Sequence, residues 1–418
     1  MQARWMADRS KSFPGSPDRA LQPAEGRRQW GLPRSNAPRS ALTWVVAVIT
    51  ATTAHAATWH IEAEPEGNNR IAALAALAAS GDTIMIGPGL YYEHIDAAGK
   101  TLTFIGREGR ENTILDGSRP FAGEGGSIIY TYDRPGPISV VGLTLQHGQG
   151  SRTEGFLGRF GGAIHINSDI YHTGCLLARD CSFLDNDVAG GDSGNLGGAI
   201  GVNNADIVHL ENCLFRGNEG LFDGAVMTVF GGDLSILGCE IDLGAMYYPI
   251  GIVLDFMDEV RIEDCIIKGS PVGPEPTGLF FCGSVLEMRR NRIVNDGTSG
   301  ALMVSIAFAG PPTTFAFEEN LVWLSSAPPH EWARSLRAGT PGNSVYRRNT
   351  FIGDGLDHST SNGDLVLMES NIFVDGVVHV FNPRGGWVGC NDFWNATLEL
   401  MPGVEAENNI SADPMFCD

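Results

Sequence analysis

From Ala178 to Asn409 one pattern of apolar and polar positions recurs ten times, each copy anchored on a Cys or an Asn. The anchors are Cys181, Cys213, Cys239 and Cys265, followed by Asn291, Asn320, Asn349, Asn371, Asn391 and Asn409. Two residues beyond each of the first nine the chain is apolar: Phe183, Phe215, Ile241, Ile267, Ile293, Val322, Phe351, Phe373 and Phe393. Three and five residues before the anchor it is apolar again, as at Ile262 and Val260, with Ser344 the polar exception in the first eight copies. This alternation predicts two short strands, each with one buried face. The two residues just before the anchor are polar in most copies, which marks a corner between the strands. Anchors stand 18 to 32 residues apart. Such modest, unequal periods are those of successive turns of a coil with loops of different length, and they predict an all-β parallel solenoid.

In a solenoid each column stacks on itself at about 4.8 Å, the spacing of parallel strands. The Asn column is therefore expected to form a hydrogen-bonded ladder, Asn also tolerating the left-handed backbone that a tight corner requires. Cys181, Cys213, Cys239 and Cys265 are expected to fill the same column as small buried hydrophobes rather than as reactive thiols. The corner carries a second regularity. Asp264, Arg290, Glu319 and Arg348 alternate in sign, as do Glu263, Arg289, Glu318, Arg347 and Glu369 in the adjacent column. Two ion columns along one edge follow, each exposed pair contributing about 0 to 1 kcal/mol and penalising a slipped register.

These repeats resemble those of right-handed parallel β-helix proteins of the pectin-lyase-like superfamily. The stretch Ala78–Gly117, "AASGDTIMIGPGLYYEHIDAAGKTLTFIGREGRENTILDG", is similar to the first coils of many secreted members. "GGAI" at Gly161 and Gly197, with Phe183/Asn186 and Phe215/Asn218, resembles the GGAI and FxxN repeats of chlamydial polymorphic outer-membrane proteins. The resemblance implies a right-handed, single-stranded β-helix over most of the chain. It leaves activity open, because the superfamily mixes lyases, hydrolases, esterases and adhesins.

The chain ends modify this picture. Residues 1–40 hold eight Lys or Arg against three acids, an uncharged run extends to Thr53, and Ala54-His55-Ala56 gives an A-x-A pattern. That order predicts a basic region and secretory signal peptide over 1–56, with export to the cell surface or medium. A β-helix domain over 57–418 follows, undivided by any Pro- or Ser-rich linker. No stretch beyond residue 56 is long and apolar enough to span a membrane. A short helix in "NNRIAALAALAAS", with Asn69 as N-cap and Gly81 as stop, is expected to cover the first coil. The last turn, "NNISADPMFCD", ends where a capping segment is expected, which implies either a truncated frame or an uncapped end.

Without residues 1–56 the chain holds 20 basic and 46 acidic residues, a net of about −26. Nucleic acid is thereby excluded as a partner for the surface as a whole. Calcium and glycans remain, and the chain is expected to be a monomer that requires no cofactor. Asp185, Asp187 and Asp192 offer oxygens for Ca2+, or are simply solvated. Cys390 and Cys417 are the disulfide candidates, both close to the C-terminal end.

Chemistry outside the columns lies in long excursions at 145–160, 186–195 and 325–342. His330, Trp332 and Arg334 in the third could bind a sugar, Trp332 by stacking, or form a packed amphipathic helix. Asp255, Asp258 and Glu259 form the densest acidic group near the strands, with Tyr247 and Tyr248 as aromatic platforms. They are the catalytic candidates for glycoside hydrolysis or lyase chemistry, and solvation of Asp258 and Glu259 in a loop is the alternative. Two function classes remain: loop presentation for glycan or cell-surface binding, and a polysaccharide lyase or glycoside hydrolase on the same fold.

Overall fold

The computed structural model describes residues 56–414 except 63, 120–125, 133–134, 153–157, 169–173, 189–194, 221–225, 244–249, 269–276, 296–303, 307–313, 325–335, 341, 354, 361–364 and 382–384. These residues belong to the unit Ala54–Asp418. It is an all-β, right-handed parallel β-helix, with one short helix among the described residues, at its N-terminal end. Between the first and last turns the coils contribute strands to three faces. Face 1 includes Ile164–Asn167 and Ile200–Asn203, face 2 includes Gly174–Arg179 and Ala205–Glu211, and face 3 includes Ser182–Leu184 and Leu214–Arg216. Every face is built by parallel pairing of one coil with the next, as in Ile164 to Ile200, Leu176 to Val208 and Phe183 to Phe215.

Inside, the apolar columns stack directly. Phe183 and Phe215 lie 4.8 Å apart at 7°, Phe351 and Phe373 4.9 Å apart at 7°, and Phe373 and Phe393 5.0 Å apart at 10°. Parallel strands fix this spacing, so the rings meet face to face by default.

The anchor column runs through the buried corner between faces 2 and 3. Nδ2 and the backbone N–H of Asn291 both donate to Oδ1 of Asn320, at 3.0 and 2.9 Å, and the same pair of bonds joins Asn320 to Asn349 and Asn349 to Asn371. Upstream, thiols take the amide's part. Cys213 N–H donates to Cys239 Sγ and Cys239 N–H to Cys265 Sγ, each at 3.4 Å, while Cys265 Sγ donates to the carbonyls of Glu263 and Ile236 at 3.2 and 3.4 Å. Treating these cysteines as hydrophobes alone missed this. The corner's backbone N–H is buried and needs an acceptor, which a polarizable sulfur supplies.

The left-handed residue is also one place earlier than expected. Asp180, Asn212, Asp264, Arg290, Glu319, Arg348, Ser370, Cys390 and Asn408 have φ between 52° and 58°, and Gly238 has 61°. The anchor that follows points inward, while the strained residue projects its side chain to solvent. At that position Arg290 makes a two-pronged bond to Asp264 (2.8 Å to each oxygen) and reaches Glu263 at 2.8 Å. Arg348 pairs with Glu319 at 2.6 Å, and in the next column Arg347 lies 3.2 Å from Glu369 and Arg289 3.4 Å from Glu318.

The helix Arg70–Leu77 packs Ile71 and Ala75 on the first coil. Asn69 does not cap it through its side chain: its backbone is left-handed, and Glu93 from the coil beneath accepts the N–H groups of Ile71 and Ala72 at 3.0 and 3.1 Å. A buried carboxylate at a helix N-terminus replaces the local cap with a tertiary one. The helix ends at Leu77, before Gly81, and Lys100 Nζ donates to the carbonyls of Ala75 and Ala76.

Candidate functional site

Face 3 returns to face 1 through a second corner, and its first residue is left-handed in several coils: His147 (φ 57°), Asp185 (φ 50°) and Gly217 (φ 65°). A polar cleft of about 490 Å³ opens there, lined by Asp116, Ser118, His147, Gly148, Gln149, Arg159, Asp185 and Asp187. Three successive coils supply it. Thr113–Asp116, Thr144–Gln146 and Ser182–Leu184 are paired in register, so the residues at or just beyond their ends converge along one edge.

Asp116 is the fixed point. It is buried, and it receives Ser118 N–H at 2.8 Å on Oδ1 and both Gln146 Nε2 (2.7 Å) and His147 Nδ1 (2.9 Å) on Oδ2. Burial opposes its charge, but the hydrogen bonds from Ser118, Gln146 and His147 outweigh burial and hold its pKa below the ordinary carboxylate value. An ionised Asp116 can only accept, so Nδ1 of His147 carries the proton between them, and in the neutral tautomer of the ring Nε2 is the acceptor. Arg159 closes the far side, its Nη1 held by the carbonyl of Gly150 at 3.1 Å and its backbone N–H by Asn195 Oδ1 at 2.8 Å. Asp185 and Asp187 are exposed at the mouth. A Cβ at residue 217 would overlap Asp185 Oδ1, so Gly217 makes room for that carboxylate in the adjacent coil.

The GGAI and FxxN stretches build the wall of this corner. Asn186 Oδ1 accepts Gly148 N–H at 2.9 Å, and its Nδ2 donates to Asn218 Oδ1 at 2.9 Å, which repeats the anchor geometry in two buried residues. Gly161 and Gly197 have φ of 53° and 69°, and Gly148 approaches the Gly162 backbone too closely for a side chain.

The residues singled out from sequence fare unequally. Asp185 and Asp187 meet in the cleft, whereas Asp192 lies outside the described residues. Among the described residues no three or more His, Cys, Asp or Glu are placed together to hold a metal ion. Tyr247, Tyr248, His330, Trp332 and Arg334 also lie outside them. Asp258 and Glu259 are not in a loop: Ile250–Glu263 is one continuous strand that bends at Phe256 (φ 59°) from face 1 into face 2. Asp255 precedes the bend and Asp258 and Glu259 follow it, so the three carboxylates fall on two faces. Glu259 is engaged by Arg261 at 2.5 Å. The bulge at Phe256 lets the strand turn without breaking, a local device that polar residues mimic in sequence as a loop. Cys390 is exposed at the left-handed corner position, and its proposed partner Cys417 lies outside the described residues; no disulfide joins the described cysteines to one another.

Asp116 and Arg159 carry no periodic mark and were missed. The signal that reached the cleft was the pair of excursions beginning at Leu145 and Asn186, whose first residues line it. No protein-family model matches this chain, and no curated protein does. A solved structure of a PL6 family alginate lyase, AlyGC, aligns with a TM-score of 0.36 and 12% identity, over 85% of this chain and 40% of that one. The chain thus spans well under half of that protein's length, and so distant a likeness bears on neither substrate nor activity.

Proposed function

We propose that this protein is a secreted or cell-surface β-helix, exported by residues 1–56, that binds glycans in the cleft bounded by Asp116, His147, Arg159, Asp185 and Asp187. The observation that carries the reading is the convergence, on one rigid edge, of a carboxylate-anchored imidazole, a guanidinium, an amide and two exposed carboxylates. Directional donors and acceptors of both kinds in a cleft of this size suit a polyhydroxylated ligand. The domain 57–418 acts as a monomer in this reading, without nucleic acid and with no obligatory cofactor. Calcium at Asp185 and Asp187 would be an accessory to glycan binding.

The Asp116–His147 pair favours a second reading, a polysaccharide lyase or glycoside hydrolase. An imidazole whose Nδ1–H is held by an ionised carboxylate presents Nε2 as a proton acceptor, as general base catalysis requires.

Calorimetric titration with neutral and uronate oligosaccharides, with and without calcium, tests the first reading. Binding by the wild type, weakened about tenfold or more (~1.4 kcal/mol) in Asp185→Asn/Asp187→Asn, is expected. No binding across both classes, or binding indifferent to those carboxylates, overturns it. Substrate turnover in the same panel, lost in His147→Ala while binding persists, would establish the enzyme.

A further inference from the structure

The outward side of face 3 changes character along the axis. In upstream coils it carries ions: Glu240 lies 2.6 Å from Lys268 and 3.9 Å from Arg216. Downstream the position three residues after the anchor becomes wholly apolar, as Val294, Trp323, Ile352, Val374 and Trp394 pair in register on consecutive coils. These side chains alternate with the inward Val322, Phe351 and Phe373 and so leave the strand on its outer side, where Val294 and Ile352 are half-buried, Val374 is covered and the two indoles are exposed. Trp323 is 47% exposed and Trp394 37%, in a molecule whose core aromatics are buried. Solvent-facing strand positions are ordinarily polar, and two exposed indoles in one column are therefore unexplained by packing.

We infer that this column is a second binding surface, a platform for an extended, neutral polysaccharide lying along the helix axis. It rests on the reading that the ligand is a glycan, but not on the cleft.

Three features select this occupant. The contacts repeat at the coil spacing of about 4.8 Å, close to the length of one pyranose ring in an extended chain, and Trp323 and Trp394 stand three coils or about 14 Å apart. A linear polymer could therefore meet both indoles with rings about three residues apart, each stacking its apolar face on an indole. The column itself is uncharged while the chain carries a large negative net charge, which disfavours an acidic polymer and leaves a neutral one. The neighbouring column is mixed, Leu321 and Ile372 alternating with Arg292, Thr350 and Asp392, so the uninterrupted apolar strip is one residue wide. A stable protein interface needs about 800 Å² per partner, more than so narrow a strip offers, whereas a rod-like ligand needs only its length.

Depletion of the full chain from solution by microcrystalline cellulose and by chitin particles tests the inference. The wild type is expected to be removed by at least one of them, and Trp323→Ala/Trp394→Ala to lose adsorption at least tenfold while its thermal unfolding stays unchanged. Trp323→Gln alone gives an intermediate loss and serves if the double variant folds poorly. Cleft binding is read with soluble oligosaccharides and column binding with insoluble particles, so a failure of the cleft reading leaves this result standing. Lack of wild-type adsorption to either particle, or equal adsorption by the tryptophan variants, overturns the inference. So would a concentration-dependent dimer in sedimentation that the double variant abolishes, since the occupant would then be a second copy of the chain.

Discussion

The backbone N–H of Cys265 donates to Oδ1 of Asn291 at 3.0 Å, the point at which the buried corner column passes from thiols to amides. One column thus uses two chemistries for one task, satisfying a corner N–H that no strand partner can reach. The acids beside Cys265 belong to the same architecture. Asp264 and Glu263 are ion-paired by Arg290 and take no part in activating the thiol.

Cys265 should resist alkylation in the native protein. Its hydrogen bond with Cys239 and its burial both push its pKa above the ordinary thiol value, so little thiolate forms and little surface is presented. With iodoacetamide at pH 8, mass spectrometry should find Cys390 modified first and Cys265 only on unfolding. Labelling of Cys265 as fast as that of Cys390 would contradict this account.

Arg290→Glu should destabilise the coil more than Arg290→Gln. The reversal sets three carboxylates together, with Asp264 and Glu263, whereas Gln merely removes the bridges. Urea unfolding should show a small loss for Gln and a larger one for Glu, and added salt should narrow the gap. Variants equal to each other and to wild type would leave the ion columns without energetic content.

Acidification below neutral pH should weaken the fold before most carboxylates titrate. Burial lowers the pKa of His165 to about 3 and of His358, whose Nδ1 meets the Tyr346 hydroxyl at 2.9 Å, to about 4, from an ordinary value of 6.5. Between 6.5 and those values the unfolded chain binds protons that the folded chain refuses, so stability falls as pH falls. Across its window His165 contributes on the order of 5 kcal/mol and His358 on the order of 3 kcal/mol. Glu93 works in the opposite sense, because burial raises its pKa and protonation above 4.5 favours the folded state. Denaturation from pH 7 to 4.5 should show a net decline that is shallower in His358→Gln; an unchanged slope in that variant would remove His358 from the balance.

Much of the fold was legible because a solenoid writes its tertiary contacts as sequence periodicity. Phe183 and Phe215 are 32 residues apart in the chain and one coil apart in space, so like stacks on like and the column can be read directly. The expectations that failed were local ones. Asn69 was read as a cap where Glu93, a residue more than twenty positions away, performs the task, and Asp258 was read as a loop residue where a bulge carries the strand through. In both, the deciding partner belongs to another coil and leaves no mark on nearby residues.

The sequence by itself determined the coil, its buried columns and its charged edge, since each follows from residue class repeated at a fixed place in the turn. Only the tertiary structure decided where chemistry gathers. Asp116, His147 and Asp185 come from three coils, and they meet because register sets them side by side at a corner where loop lengths differ. A cleft formed by unlike residues in stacked coils has no period, and hence no signature along the chain.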